Sequence, residues 1–338
     1  MALKNKKILF FAPSFFGYEF AIKNKLKELG ASVDLYDERP SSNSFIKALI
    51  RSHNRFLTFL ILPLIHRYFN KIINENIDKN YDYIFIIKGE VFNPEIVLTL
   101  KENYPNAKLI LYLWDSIAIY KSIQDSLHIF DSAFTFDSID SLKYTKLNFR
   151  PLFFIDKYSD LTDQQGFKLD YKSDILFIGT VHSDRWIFLN KFKEQAIQKK
   201  LKVDFYLYIQ SPLVFLARKL FDKRLYGLSL KDVHFKSISQ EEIIRRTFYS
   251  KSVLDIQHPK QTGMTMRTIE VLGAQRKLIT TNQNISEYDF YNPENILIID
   301  RLNPVITEEF FEGKYIIPED AIKNKYSLSG WINDVFDL

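Results

Sequence analysis

The feature that most constrains this chain is an alternation, sustained along almost its whole length, between short apolar runs and stretches of helical periodicity. Lys7 to Ala12 reads as a buried strand. After a turn at Pro13 to Gly17, a helical pattern runs from Tyr18 to Leu29 and is closed by Gly30, and Ser32 to Tyr36 returns as a strand. The alternation continues through a long helical region (Phe45 to Ile77), a strand (Tyr83 to Ile87), a helix (Pro94 to Asn103) and a strand (Lys108 to Leu113). Two short strands are expected at Ser132 to Phe136 and Arg150 to Phe154. Strands separated by helices must pair in parallel, because each crossover returns the chain to the same end of the sheet. The class is therefore α/β, with doubly wound parallel sheets.

At 338 residues the chain exceeds ordinary single-domain size, so two units of about 150 residues each are expected. The segment Asp156 to Tyr171 is polar, contains Gly166 and lacks periodicity, which places a linker there and divides the chain into residues 1–160 and 161–338. The second unit offers strands at Asp174 to Ile178, Val203 to Tyr208, Val253 to Ile256, Leu278 to Thr281 and Ile296 to Ile299. Ser239 with Glu242 reads as a capping box opening one of its helices. The last helical stretch, Leu328 to Phe336, is a candidate to cross back onto the first unit. Two doubly wound units imply an interdomain cleft at the carboxyl ends of the strands.

Several function classes are disfavoured at once. With no cysteine and six dispersed histidines, the chain has no disulfide or thiolate chemistry and little material for a zinc site. Its 46 basic residues are nearly balanced by 41 acidic ones, so no nucleic-acid partner is expected. The three lysines of Met1 to Lys7 precede an apolar run that ends at Pro13, which reads as a first strand and not as a signal peptide. The longest apolar stretch, Phe56 to Ile65, is too short to span a bilayer. A cytoplasmic protein is expected.

Three segments carry candidate chemistry. In Gln261 to Ala274 a glycine-containing loop opens a helix, where backbone N–H groups can hold a pyrophosphate, with Gly263, Met264 and Thr265 in the loop. Arg267 in the first turn and Glu270 one turn later suit a phosphate and the hydroxyls of a ribose; the plain alternative is a solvated surface pair. The second segment, Asp174 to Trp186, is a strand ending at Gly179 and Thr180, followed by a loop in which His182 and Arg185 can reach donor phosphates, while Ser183 or Asp184 caps the helix. In the third, Leu111 to Ser116, a strand ends in Asp115, which is either a base or acceptor-orienting group or the cap of a following helix. Phe134 to Asp137 repeats the strand-then-Asp pattern and reads as structural. The first strand–helix loop, Phe11 to Glu19, lacks G-x-G-x-x-G, which argues against a nicotinamide site.

The run Gln261 to Ala274 resembles the nucleotide-binding segment of GT-B glycosyltransferases, in which an arginine, a glutamate and a small-residue turn precede a strand. Phe177-Ile178-Gly179-Thr180 is similar to the opening of the second domain in lipopolysaccharide, capsule and spore-maturation glycosyltransferases. Trp114-Asp115 and the strand order extend the likeness to the first domain. The resemblance implies two Rossmann-like domains with a cleft, and transfer of a glycosyl unit from a nucleotide-sugar donor to a surface-polysaccharide or lipid-linked oligosaccharide acceptor. It implies Asp115 and His182 as catalytic residues, and Gly179, Thr180, Arg185, Gly263, Met264, Thr265, Arg267 and Glu270 as the donor site. No Asp-x-Asp metal-chelating motif occurs, so no metal or other cofactor is expected. Thr262 stands where many retaining GT-B enzymes carry a second glutamate, which leaves retention or inversion open. The rivals are a nucleotide-sugar epimerase or hydrolase of the same fold and a non-catalytic sugar-binding protein. Finally, Lys47 to Lys71 combines Arg51, Arg55, Arg67 and Lys71 with large apolar residues, either a core helix with a cationic side or a peripheral contact with the inner membrane.

Overall fold

The computed structural model describes the chain except for residues 42, 44, 45, 47–49, 51–54, 119, 120, 161–169, 182, 183 and 258–262, and the side chains of 55–60 and 121. It consists of two compact units, Met1–Leu152 with Leu328–Leu338, and Phe153–Ser327.

Unit 1 holds a six-stranded sheet ordered β2-β1-β3-β4-β5-β6. The strands are β1 (Lys7–Ala12), β2 (Ser32–Asp37), β3 (Tyr83–Ile87), β4 (Lys108–Leu113), β5 (Ser132–Thr135) and β6 (Asn148–Phe149), all paired in parallel. The central strands are apolar along consecutive positions because helices cover both faces: Ile8 to Ala12, Ile84 to Ile87 and Leu109 to Leu113 are all buried. One face is closed by helix Arg55–Glu75, which contributes Ile61, Ile65, Phe69, Ile72 and Ile73 at helical spacing. Helix Leu328–Phe336 sits elsewhere on the unit, with the Trp331 ring 4.7 Å from Tyr112 and Phe336 5.1 Å from Phe85.

Unit 2 holds a second six-stranded sheet ordered β12-β11-β10-β7-β8-β9. Its strands are β7 (Ser173–Thr180), β8 (Val203–Tyr208), β9 (Val233–His234), β10 (Ser250–Asp255), β11 (Lys277–Thr280) and β12 (Ile296–Ile298), again parallel throughout. The order reverses between β7 and β10, just as in unit 1 it reverses between β1 and β3. Such switch points are where the loops at the carboxyl ends of the strands diverge and leave room for a ligand.

Local differences from the sequence reading have local causes. The strand expected over Arg150 to Phe154 falls instead at Asn148–Phe149, since Pro151 has no N–H with which to continue a ladder. Ser239 does cap helix Gln240–Phe248, accepting from the Glu242 amide at 3.3 Å. Glu242, however, commits its carboxylate to Arg245 and Arg246, whose bonds hold its pKa down to about 2, so the reciprocal half of a capping box is absent. Asp137 caps helix Ser138–Lys143 through the Ile139 amide, in keeping with a structural role. Of the segment read as a linker, Asp156–Ser159 forms a helical turn of unit 2, while Gly166 lies outside the described residues. Among the described residues no helix is long and apolar enough to cross a membrane.

Candidate functional site

In unit 2 the candidate donor residues gather where β7 and β10 end side by side. β7 finishes at Gly179 and Thr180, and the chain re-enters helix Arg185–Gln198 with Arg185 as its first residue. The Arg185 guanidinium donates to the Thr180 carbonyl at 3.2 Å and to the Ile256 carbonyl at 2.7 Å, tying the end of β7 to the segment after β10. A Cβ at Gly179 would stand 2.9 Å from the Phe177 ring, which would have to shift, and 3.4 Å from Arg185 Nη1, an ordinary contact. Burial lowers the pKa of Arg185. Asp184, a candidate cap in the sequence, makes no capping bond with its side chain. Its two carboxylate oxygens accept from Arg301 at 2.8 and 2.6 Å, and this pairing holds its pKa below the usual carboxylate range. Arg301 also donates to the Gln257 carbonyl at 2.8 Å, joining the turn after β12 to both neighbouring loops.

The second half of the site is helix Met266–Gly273. Thr265 is its cap, accepting from the Thr268 amide at 3.3 Å, and the hydroxyls of Thr265 and Thr268 both donate to Asp255 Oδ2, at 2.7 and 3.0 Å. Asp255, the last residue of β10, is buried, and burial raises its pKa against the opposing influence of these hydroxyls, Arg185 and Arg267. A carboxylate shared by two hydroxyls thus fixes the start of the helix to the end of the strand. Gly263 and Met264 are buried at its approach.

Arg267 Nη1 lies 2.7 Å from Glu270 Oε2, and the two side chains are only 17% and 9% exposed. The pair is therefore not the solvated surface pair that i,i+3 spacing alone would allow. The buried Tyr158 hydroxyl lies against both charges, and burial together with the Glu270 charge drives its pKa up. At the far end of the helix, Gly273 admits the Phe154 ring, which a Cβ would meet at 2.5 Å. Gly179, Thr180 and Arg185 thus stand at the end of β7 and Thr265 at the end of β10, Arg185 and Arg267 both act on the buried Asp255, and the Arg267–Glu270 pair lies against Tyr158, while His182 and Ser183 lie outside the described residues.

Unit 1 carries a charged constellation of its own at the ends of β2, β3 and β4. Asp115 follows β4, and its Oδ2 lies 3.4 Å from Lys88 Nζ. Lys88 follows β3 in the left-handed region at φ 76°, is buried, and stands 3.3 Å from Glu90. Arg39 donates to Glu90 Oε2 through Nε and Nη2, at 2.9 and 2.7 Å. Burial pushes the Glu90 pKa up, but Lys88 and Arg39 outweigh it and hold the group below its ordinary value. Glu38, fully buried, accepts from the Glu90 amide at 3.0 Å, and burial raises its pKa to about 8 in spite of Lys88. Asp115 is thus the partly exposed end of a buried ionic chain.

Asp255, Arg301, Glu38, Arg39, Lys88 and Glu90 escaped the sequence reading. For two of them the available signal was positional, since Lys88 and Asp255 each end or directly follow an apolar run.

Two parallel six-stranded α/β units in one chain match the two Rossmann-like domains of the GT-B fold. Solved structures with the same fold include the α,α-trehalose 6-phosphate synthase of Burkholderia multivorans, with a TM-score of 0.59 at 8% identity over 99% of this chain and 97% of that one. An α-glucosyltransferase in complex with UDP and a mismatched 13-mer DNA has a TM-score of 0.58 at 11% identity, covering 97% of this chain and 95% of its own. Anabaena HepE in complex with UDP-glucose has a TM-score of 0.51 at 14% identity, covering 98% and 94%. At these identities the likeness defines architecture. No protein-family model and no curated protein sequence matches the chain.

Proposed function

We propose that the protein is a glycosyltransferase that moves a sugar from a nucleotide-sugar donor to a surface-polysaccharide or lipid-linked oligosaccharide acceptor, without a metal ion, at the cytoplasmic face of the inner membrane. The observation that carries the reading is that Arg185, tied to the segment after β10, and Arg267, paired with Glu270, both act on the buried Asp255 at the end of β10. Departure of a nucleoside diphosphate concentrates negative charge on its phosphates. Two guanidinium groups already anchored by the protein can stabilise that charge with little reorganisation. On this reading Arg185 and Arg267 offset the phosphate charge, and His182 joins them. Glu270, oriented by Arg267, receives the ribose hydroxyls, and Asp255 holds the helix that carries both. Asp115, steadied by Lys88, orients the acceptor hydroxyl and takes its proton. Metal independence rests on the absence of an Asp-x-Asp motif in the sequence.

The test is nucleoside diphosphate release from a panel of nucleotide sugars, with and without membrane-extracted glycolipid or polysaccharide acceptor and in the presence of EDTA. Acceptor-dependent release that survives EDTA, and is lost in Asp115→Asn with donor binding intact, is expected. Release that needs no acceptor in wild type would make the protein a hydrolase or an epimerase.

A further inference from the structure

Helix Pro212–Phe221 carries an apolar stripe that the core does not use. Leu213, Leu216 and Leu220 recur at helical spacing and are 78%, 50% and 81% exposed, and Phe221 beside them is 89% exposed. The helix is well fastened on its other side. Ser211 caps it at the Val214 amide, Phe215 is buried, Arg218 donates to the Val181 carbonyl at 2.8 Å, and Lys219 donates to the Leu228 carbonyl at 2.8 Å. The stripe therefore projects from a fixed platform, and a contiguous exposed patch of this kind marks an interaction surface.

Its surroundings select the partner. Between Pro212 and Asp232 the cationic residues are Arg218, Lys219, Lys223, Arg224 and Lys231, against the two acids Asp222 and Asp232. Asp222 is itself engaged by Arg224 at 2.8 and 2.9 Å. A second copy of the chain packed on this stripe about a two-fold axis would bring like charges together, which disfavours self-association. An apolar ridge with cationic neighbours complements an anionic bilayer, whose acyl boundary accepts the leucines and whose headgroups accept the lysines.

We propose that Leu213, Leu216, Leu220 and Phe221 form a membrane-docking ridge that seats unit 2 on an anionic lipid surface. This deepens the membrane contact in the proposed function by assigning it to a surface, and it stands apart from the Lys47 to Lys71 stretch. There Ile61, Ile65 and Phe69 belong to the core of unit 1 and Leu64 is the one exposed large apolar residue among those described, while Arg51 and the Arg55 side chain lie outside the described residues.

The experiment is co-sedimentation of the full chain with vesicles of phosphatidylcholine alone and with phosphatidylglycerol added, alongside light scattering to measure its mass in solution. Wild type should bind the anionic vesicles, more weakly as salt rises. Leu213→Glu/Leu220→Glu should reduce partitioning at least about tenfold while keeping a native circular dichroism spectrum. Lys223→Glu/Lys231→Glu should also weaken it, whereas Leu142→Glu, at an 87% exposed leucine of unit 1, should not. Failure of wild type to bind anionic vesicles, equal loss in Leu142→Glu, or a wild-type dimer that the ridge variants dissociate would each overturn the proposal. Nucleotide binding measured on the ridge variants separates this outcome from failure of the donor-site assignment, because none of these residues lies at that site.

Discussion

Replacing Arg267 with alanine tests whether the ion pair of unit 2 is as buried as its geometry implies. At the 2.7 Å separation of Arg267 and Glu270, two unit charges attract by about 6 kcal/mol at an effective dielectric of about 20. Desolvation of both groups cancels much of that. Removing only the arginine leaves the Glu270 carboxylate, 9% exposed and against the Tyr158 hydroxyl, without its counter-ion. Breaking a buried pair from one side costs about 3 kcal/mol, whereas removing both partners costs less than the sum of the two single losses. A double-mutant cycle of Arg267→Ala and Glu270→Ala should therefore give a coupling of about 2 kcal/mol. Native-state hydrogen exchange on peptides spanning Met266–Gly273 is the appropriate assay, since it reports the opening of unit 2 itself in a chain built of two compact units. Single losses below about 1 kcal/mol that simply add would refute the reasoning and return the pair to the solvated class.

Glu38 is fully buried with a pKa pushed up to about 8, so the folded state holds a proton that the unfolded chain releases near its ordinary value of 4.5. Its stabilising contribution is complete at pH below 4.5 and is lost progressively as pH rises through about 8. Exchange of β3 peptides should show a loss of a few kcal/mol over that interval in wild type and a flatter profile in Glu38→Gln; identical profiles would contradict the assignment. Gly273→Ala should lower the melting temperature, because the new Cβ would meet Phe154 Cγ at 2.5 Å and overpacking costs about 1–3 kcal/mol. Helix propensity alone would favour alanine by up to about 1 kcal/mol, so a rise in melting temperature would mean that the ring has room to move.

Most of the architecture was legible because both sheets are covered on two faces. β1, β3 and β4 are consecutive apolar runs, and the helices between them dictate parallel pairing. Legibility failed where the signal was short or a single residue decided the outcome. β9 is two residues long, and Pro151 displaced β6 to Asn148–Phe149. At the candidate site, the spacing of Arg267 and Glu270 was visible, but their burial depends on Tyr158, far away in sequence. Asp255 reads as an ordinary strand end until Thr265 and Thr268 are seen to donate to it. Arg301 offers no motif at all, and its part in joining Asp184 to Gln257 exists only in three dimensions. Glu38, Lys88 and Glu90 look like solvated loop charges in the sequence, yet the sheet places them in the interior next to Asp115.

The central claim is that unit 2 binds the diphosphate of a nucleotide sugar through Arg185, Arg267 and Glu270. Its most direct test is the thermal shift of purified protein with UDP, GDP, dTDP, CDP and CMP and their sugar conjugates, repeated on Arg267→Ala and Glu270→Ala, each compared with its own unliganded melting temperature. A ligand that binds only the native state raises that temperature by mass action. A rise with one nucleotide family in wild type and none in either variant is expected; no rise with any nucleotide, or one that both variants retain, would contradict a donor site at these residues.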